Sequence, residues 1–289
     1  MTVLANIARW LGLRRESGSV APLRLGLALG GGGVRGAAHL GVLSVFEREG
    51  ITFDVVAGTS VGAVVGAGVA ARVPAADMLE RFRAARWIDL ARPSWGSKLS
   101  MLQTNPMGEI LVKTVKAETF AELALPFAAV ASDILTGTTV VITEGPLRDA
   151  VIASAAVPAI FEPLRRDGRL LVDGGLTDNL PVQVARDLGA DVVIAVDVMP
   201  PLDGSYEPKD MNEMVMFSWN IVQRACEPGR KHADVVITPK VAMVSLMDFS
   251  QAQTAYDAGV AAAEEAMNEV WEAIGGRPTA GSRGSDSRP

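Results

Sequence analysis

Between Asp54 and Arg72 the chain runs for seventeen residues without a charge, VVAGTSVGAVVGAGVAA. That run confines the fold to two classes. Its length is about the lower limit for a helix that crosses a bilayer, and Gly58, Gly62 and Gly66 repeat at the four-residue spacing that suits close membrane helix pairs. The same residues also divide into a short β-rich run, a Gly-Thr-Ser turn and a helix. A helix enclosed by a soluble sheet is apolar all round, and small residues let it approach the strands.

The flanking segments favour the second class. LRLGLALG (23–30) reads as a buried strand that enters a glycine cluster. The helix after it places Ala37, Leu40, Val42, Leu43 and Phe46 on one broad face and stops at Gly50. FAAVASDI and TTVVITEG read as strands joined through a hairpin at Thr136-Gly137, and ADVVIAVDV and ADVVITPKV as two further buried strands. A long helix occupies 250–274. Strand and helix in alternation predict an α/β fold, a three-layer α/β/α arrangement with a mostly parallel central sheet.

Both ends differ from the middle. Leu4, Ile7, Trp10 and Leu11 recur at helical spacing among arginines, so residues 1–21 read as an amphipathic segment and linker able to make peripheral membrane contact. Residues 276–289 are Gly, Ser, Pro and charge, the composition of a disordered tail. The folded domain is expected over 22–275. No secretory signal pattern is visible at the start, which places the expected location in the cytoplasm or at its membrane surface. A net charge of −6 gives no electrostatic basis for nucleic-acid binding. The single cysteine, Cys226, excludes an intramolecular disulfide and a multi-cysteine metal cluster.

Three segments carry chemistry. Gly58-Thr59-Ser60-Val61-Gly62 has the Gly-x-Ser-x-Gly spacing of a nucleophile elbow. Gly31, Gly33 and Gly36 stand after a strand and before a helix, which formally fits a dinucleotide fingerprint. However, the second strand ends in Gly-Thr-Ser instead of the acidic residue a ribose requires, and no Gly-Lys-Ser/Thr follows to bind a nucleotide phosphate. What remains is a run of backbone N–H groups at a helix start, suited to a developing negative charge. The third segment, LLVDGGLTDNLPV, sets Asp173 at a strand end before Gly174 and Gly175, where a sharp turn is expected to leave the carboxylate open to a cleft.

Together these segments resemble the patatin-like phospholipases, most closely the bacterial branch similar to neuropathy target esterase. The likeness extends to HLGVL, ASAAVPAIF and DNLPV and covers about residues 22–240. It implies a serine acyl hydrolase acting on phospholipids or lysophospholipids, with neither cofactor nor metal. It also implies a Ser60–Asp173 dyad without histidine, and an oxyanion hole from Gly31, Gly32, Gly33 and Val34 assisted by the Arg35 side chain. A short-chain carboxylesterase and a catalytically weak scaffold of the same fold are the alternatives. The two histidines fit a dyad, since His39 reads as a packed or capping residue and His232 as a surface one. Two apolar segments remain open between acyl groove and ordinary core: 84–107, with Trp87, Trp95, Leu99, Met101 and Leu102, and Met211, Met214 and Met216 beside Phe217 and Trp219.

Overall fold

In the computed structural model, residues 23–276 are described apart from 96–97, 104, 200, 202–203, 205–206 and 210. The amphipathic segment over 1–21 and the tail beyond Gly276 therefore lie outside the described residues.

The charge-free run forms a buried strand, Val55–Thr59, and a mostly buried helix, Val61–Ala70. The chain enters through β1 (Leu25–Leu29), then a 3₁₀ turn and α1 (Ala37–Glu49), β2 (Val55–Thr59) and α2 (Val61–Ala70). At ten residues α2 is too short to span a bilayer, and no described helix is long and apolar enough to do so. Next come α3 (Ala75–Ala84), the short α4 (Trp87–Leu90), β3 (Arg92–Pro93), β4 (Ser100–Gln103) and α5 (Asn105–Val115). Strands β5 (Phe127–Asp133) and β6 (Thr138–Ile142) form the expected hairpin, followed by α6 (Leu147–Ser154) and β7 (Ala159–Phe161). The chain continues through β8 (Leu164–Arg166), β9 (Arg169–Asp173), α7 (Val182–Asp187), β10 (Val192–Val196), α8 (Met211–Ala225), β11 (Val235–Ile237) and α9 (Ala252–Ala273).

The main sheet runs β11-β10-β1-β2-β5-β9-β8, and its first five strands are mutually parallel. Period-two alternation fills both faces. Leu27, Leu29, Ile194 and Val196 point into a core shared with α1 and α9, whereas Ala28, Val193 and Ala195 point to α7. Burying each such Leu or Ile contributes roughly 1.5–3 kcal/mol. Small alanines on the α7 side let that layer lie close. Strands β3, β4 and β7 form a separate three-stranded sheet that the sequence patterns did not indicate.

One feature of register positions the site. Strand β6 borders one edge of β5, with Ala129 opposite Ile142 and Ala131 opposite Val140. The other edge is shared. Strand β2 runs parallel to β5 until Thr59 meets Val130, and from Ala131 onward β9 takes its place, antiparallel, with Asp173 opposite Ala131. The two strands approach end to end. Ser60 leaves one and Asp173 closes the other.

Candidate active site

Ser60 lies at the β2–α2 bend with φ 55° and ψ −124°. This backbone region is sparsely populated for an L-residue and costs on the order of 1–3 kcal/mol, so the surroundings must impose it. Close packing does so. A Cβ on Gly62 would stand 2.1 Å from the Leu29 carbonyl oxygen, and one on Gly58 would stand 2.3 Å from that of Gly62. The Ser60 hydroxyl donates to Asp173 Oδ2 over 2.6 Å, and Asp173 Oδ1 accepts from the Gly175 amide at 2.8 Å. Gly174 fits under β5, where a Cβ would lie 2.2 Å from the Val130 oxygen.

The aspartate is buried, at 1% exposure, because β9 is paired up to its last residue, and it lines the cleft that its turn was expected to open onto. Burial pushes its carboxyl up to about 6, against the opposing hydrogen bonds from Ser60 and Gly175. The group stays largely ionised at neutral pH, yet it is a stronger base than a free carboxylate.

The glycine loop faces this pair, but fewer of its amides are available than the motif suggests. Gly31 donates to the Asn179 carbonyl at 3.3 Å and Val34 to that of Leu246 at 3.0 Å. Both are thus engaged and are removed from the expected oxyanion donors. The N–H groups of Gly32 and Gly33 have no acceptor among the described residues, and both residues line the same cavity as Ser60 and Asp173. Arg35 departs from expectation as well. Its Nε donates to the Val244 carbonyl at 2.8 Å, its side chain is buried, and it is absent from the described cavity lining. Burial and the charge of Arg224 push its guanidinium down to about 10. Arg35 holds the 244–246 loop whose Leu246 carbonyl fixes Val34. Gly36 closes the turn, where a Cβ would overlap Val61.

Ser60 opens onto a cavity of about 460 Å³ walled by apolar side chains, among them Val64, Trp87, Leu111, Phe161 and Phe249. That volume lies within the usual range for organic ligands, roughly 300–1,000 Å³. Trp87 stacks on Phe161 at 5.9 Å and packs against Phe249 at 5.2 Å, and its indole N–H donates to the Met247 carbonyl at 2.6 Å. The 84–107 segment therefore has two roles. Trp87 and Met107 line the cavity, whereas Trp95, Leu99 and Met101 are exposed. On α8, Trp219 lines the cavity, and Met211 and Met214 are exposed instead of packed. The Met216 side chain lies outside the described ones.

A patatin-like phospholipase family model matches residues 27–186, more than half of the chain. The chain belongs to the patatin-like phospholipase family. An NTE family protein of Mycobacterium tuberculosis is 38% identical over 193 residues, covering 64% of this chain and 51% of that protein. A patatin-like phospholipase domain-containing protein of Caenorhabditis elegans is 36% identical over 212 residues, covering 69% of this chain and 15% of its own length. The human patatin-like phospholipase domain-containing protein 6 is 32% identical, with 76% and 16% covered. The chain thus spans about half the length of its mycobacterial relative and far less of the animal ones. Among solved structures, VipD of Legionella pneumophila aligns with a TM-score of 0.50 at 14% identity, covering 84% of this chain and 67% of VipD, a likeness of fold.

Within this patatin-like site several contributors escape motif reading. His39 is fully buried on α1, and its Nε2 lies 2.8 Å from the Gly30 carbonyl oxygen. Burial pushes it down to about 4, so it is neutral and Nε2–H donates. The expected packed role is the observed one, and its target is the glycine loop. His232 is exposed. Gln223 of α8 fills the space above Gly175, whose Cβ would lie 2.3 Å from its Nε2, and it donates to Asn179 Oδ1 at 3.1 Å. Asp197, wholly buried, receives Arg224 at 2.6 Å together with Arg230, and so ties the C-terminal end of α8 to the sheet. Among the described residues no group of three His, Cys, Asp or Glu converges as metal ligands would.

Proposed function

We propose that the chain is a serine acyl hydrolase that cleaves carboxylic ester bonds of phospholipids or lysophospholipids. The observation that carries this reading is the 2.6 Å hydrogen bond from Ser60 to a buried carboxylate at the edge of an apolar cavity.

As Ser60 Oγ attacks the ester carbonyl, its proton passes to Asp173 and the carbonyl oxygen becomes an oxyanion. The Gly32 and Gly33 amides face that charge, and loss of one such donor typically costs about 3–4 kcal/mol in the transition state. Asp173 returns the proton to the departing alkoxide, which leaves as the alcohol, here a glycerophosphoryl or lysophospholipid fragment. Water, deprotonated by the same aspartate, then attacks the acyl-serine; the fatty acid is released as the proton passes from Asp173 back to Ser60 Oγ. The apolar walls favour a long acyl chain over a short one, since each buried methylene contributes roughly 0.8 kcal/mol.

A fluorophosphonate probe tests the assignment. Treatment of the native protein is expected to give an adduct on Ser60, located by peptide mass spectrometry, that is lost in Ser60→Ala and slowed by at least about 1,000-fold in Asp173→Asn. Folded protein that takes no adduct at Ser60 would contradict the hydrolase. An adduct formed at native rate without Asp173 would contradict the dyad. Release of fatty acid from phosphatidylcholine and lysophosphatidylcholine, with Ser60→Ala as control, then separates phospholipase from short-chain esterase activity.

A further inference from the structure

Resting on the acyl-hydrolase reading, we propose that the Ser154–Ala156 segment is a brace that sets the separation of Ser60 and Asp173, with Ser154 as a positioning residue.

Ser154 ends α6 and is fully buried. Its hydroxyl oxygen accepts the backbone N–H of Ser60 at 2.9 Å, and the hydroxyl proton is donated to the Val130 carbonyl of β5 at 2.5 Å. A serine hydroxyl has one proton and two lone pairs, so both bonds form together. Two residues further on, the Ala156 carbonyl accepts the backbone N–H of Asp173 at 2.9 Å. One three-residue stretch therefore grips the main chain of both the nucleophile and its base. Its other attachment, Val130, is the residue opposite Thr59 on the shared edge of β5.

The need for such a grip follows from the bend. As the residue capping α2, Ser60 has a backbone N–H that precedes the helix hydrogen-bond pattern. A buried amide in that position needs an acceptor from elsewhere. An alanine at 154 offers none. Without one, only the packing at Gly58 and Gly62 restrains the strained backbone, and any relaxation toward ordinary φ and ψ carries Oγ away from Oδ2. Displacements near 1 Å cost catalysis about 100-fold.

The test compares Ser154→Ala with Ser154→Cys, which keeps the volume but supplies only a weak acceptor. Hydrolysis of a soluble p-nitrophenyl ester and fluorophosphonate labelling are measured per folded molecule. Both variants are expected to lose about 10- to 100-fold in kcat and in labelling rate, with KM within about twofold of native. In an Asp173→Asn background, Ser154→Ala is expected to change the residual rate by less than about threefold, because the two residues act through one geometry. Native kcat in folded Ser154→Ala, or in Ser154→Cys where the alanine variant does not fold, would overturn the brace. Losses that multiply across the double variant would overturn it too, since they would assign Ser154 to general stability. In either case native labelling of Ser60 leaves the hydrolase reading intact, whereas native protein that takes no label removes both.

Discussion

His39 and Gly30 are joined by a hydrogen bond of 2.8 Å between a fully buried imidazole and the first carbonyl of the glycine loop. The chain's more suggestive histidine thus supports the loop and not the serine. Replacement by alanine leaves the Gly30 carbonyl unpartnered and is expected to lower stability by about 1–3 kcal/mol. Activity per folded molecule should fall while the acid limb of the pH profile keeps its midpoint. Thermal denaturation with kcat/KM against pH checks both, and a displaced acid limb would bring His39 back as a titrating participant.

The acid limb itself should belong to Asp173. Its carboxyl is pushed up to about 6 by burial, and only the ionised form accepts the Ser60 proton. In the free enzyme, kcat/KM is expected to be about tenfold lower at pH 5 than at pH 7. Initial rates on an uncharged soluble ester provide the measurement, and a flat profile down to pH 4 would exclude Asp173 as base.

Stability should respond in the opposite sense. A folded-state value near 6 against 3.8 in the unfolded chain means that the native protein holds its proton longer. Raising pH from about 4 to 6 therefore costs stability, and the full penalty stands above pH 6. His39 acts the other way. It is held near 4 against an ordinary 6.5, so stability is lost as pH falls through that window. Asp173→Asn should accordingly raise the melting temperature at pH 7.5 relative to native protein, and by less at pH 4.5.

Much of this architecture was legible from residue order. Apolar runs identified β1, β2, β5 and β10, and three glycine-punctuated segments identified Ser60, Asp173 and the loop between β1 and α1. Local pattern carries such information because strand burial and tight bends constrain residue type directly. It carries none about which distant carbonyl a loop amide will meet. Gly31 and Val34 have the same local signature as Gly32 and Gly33, yet Asn179 and Leu246 occupy only the first two. Ser154 was likewise visible only as part of a small-residue stretch, since its partners lie on β2 and β5.

Chain-length preference should be adjustable from one wall. Val64 lines the cavity one helical turn beyond Ser60. Val64→Phe would displace several methylenes of a bound acyl chain. Turnover of long-chain esters is expected to fall at least about tenfold in kcat/KM, with butyryl esters within about threefold of native. A series of p-nitrophenyl esters of increasing length gives the comparison, and a uniform loss at every length would place the acyl chain elsewhere.

Gly62→Ala tests the packing that holds the Ser60 bend. The added methyl meets the Leu29 carbonyl on β1, a backbone atom that cannot yield independently. The expected cost is about 3 kcal/mol, measured by denaturant titration. Wild-type stability in this variant would mean that α2 can move away from the sheet.

The shared edge of β5 has a consequence for biosynthesis. A nascent chain displays β2, the serine and the glycine loop early, but the aspartate arrives only with β9, which must find the vacant half of that edge. An amino-terminal fragment or a ribosome-bound intermediate therefore holds a serine without its carboxylate partner. The Ser60–Asp173 pair is thus absent from incomplete molecules and forms only once the sheet has closed.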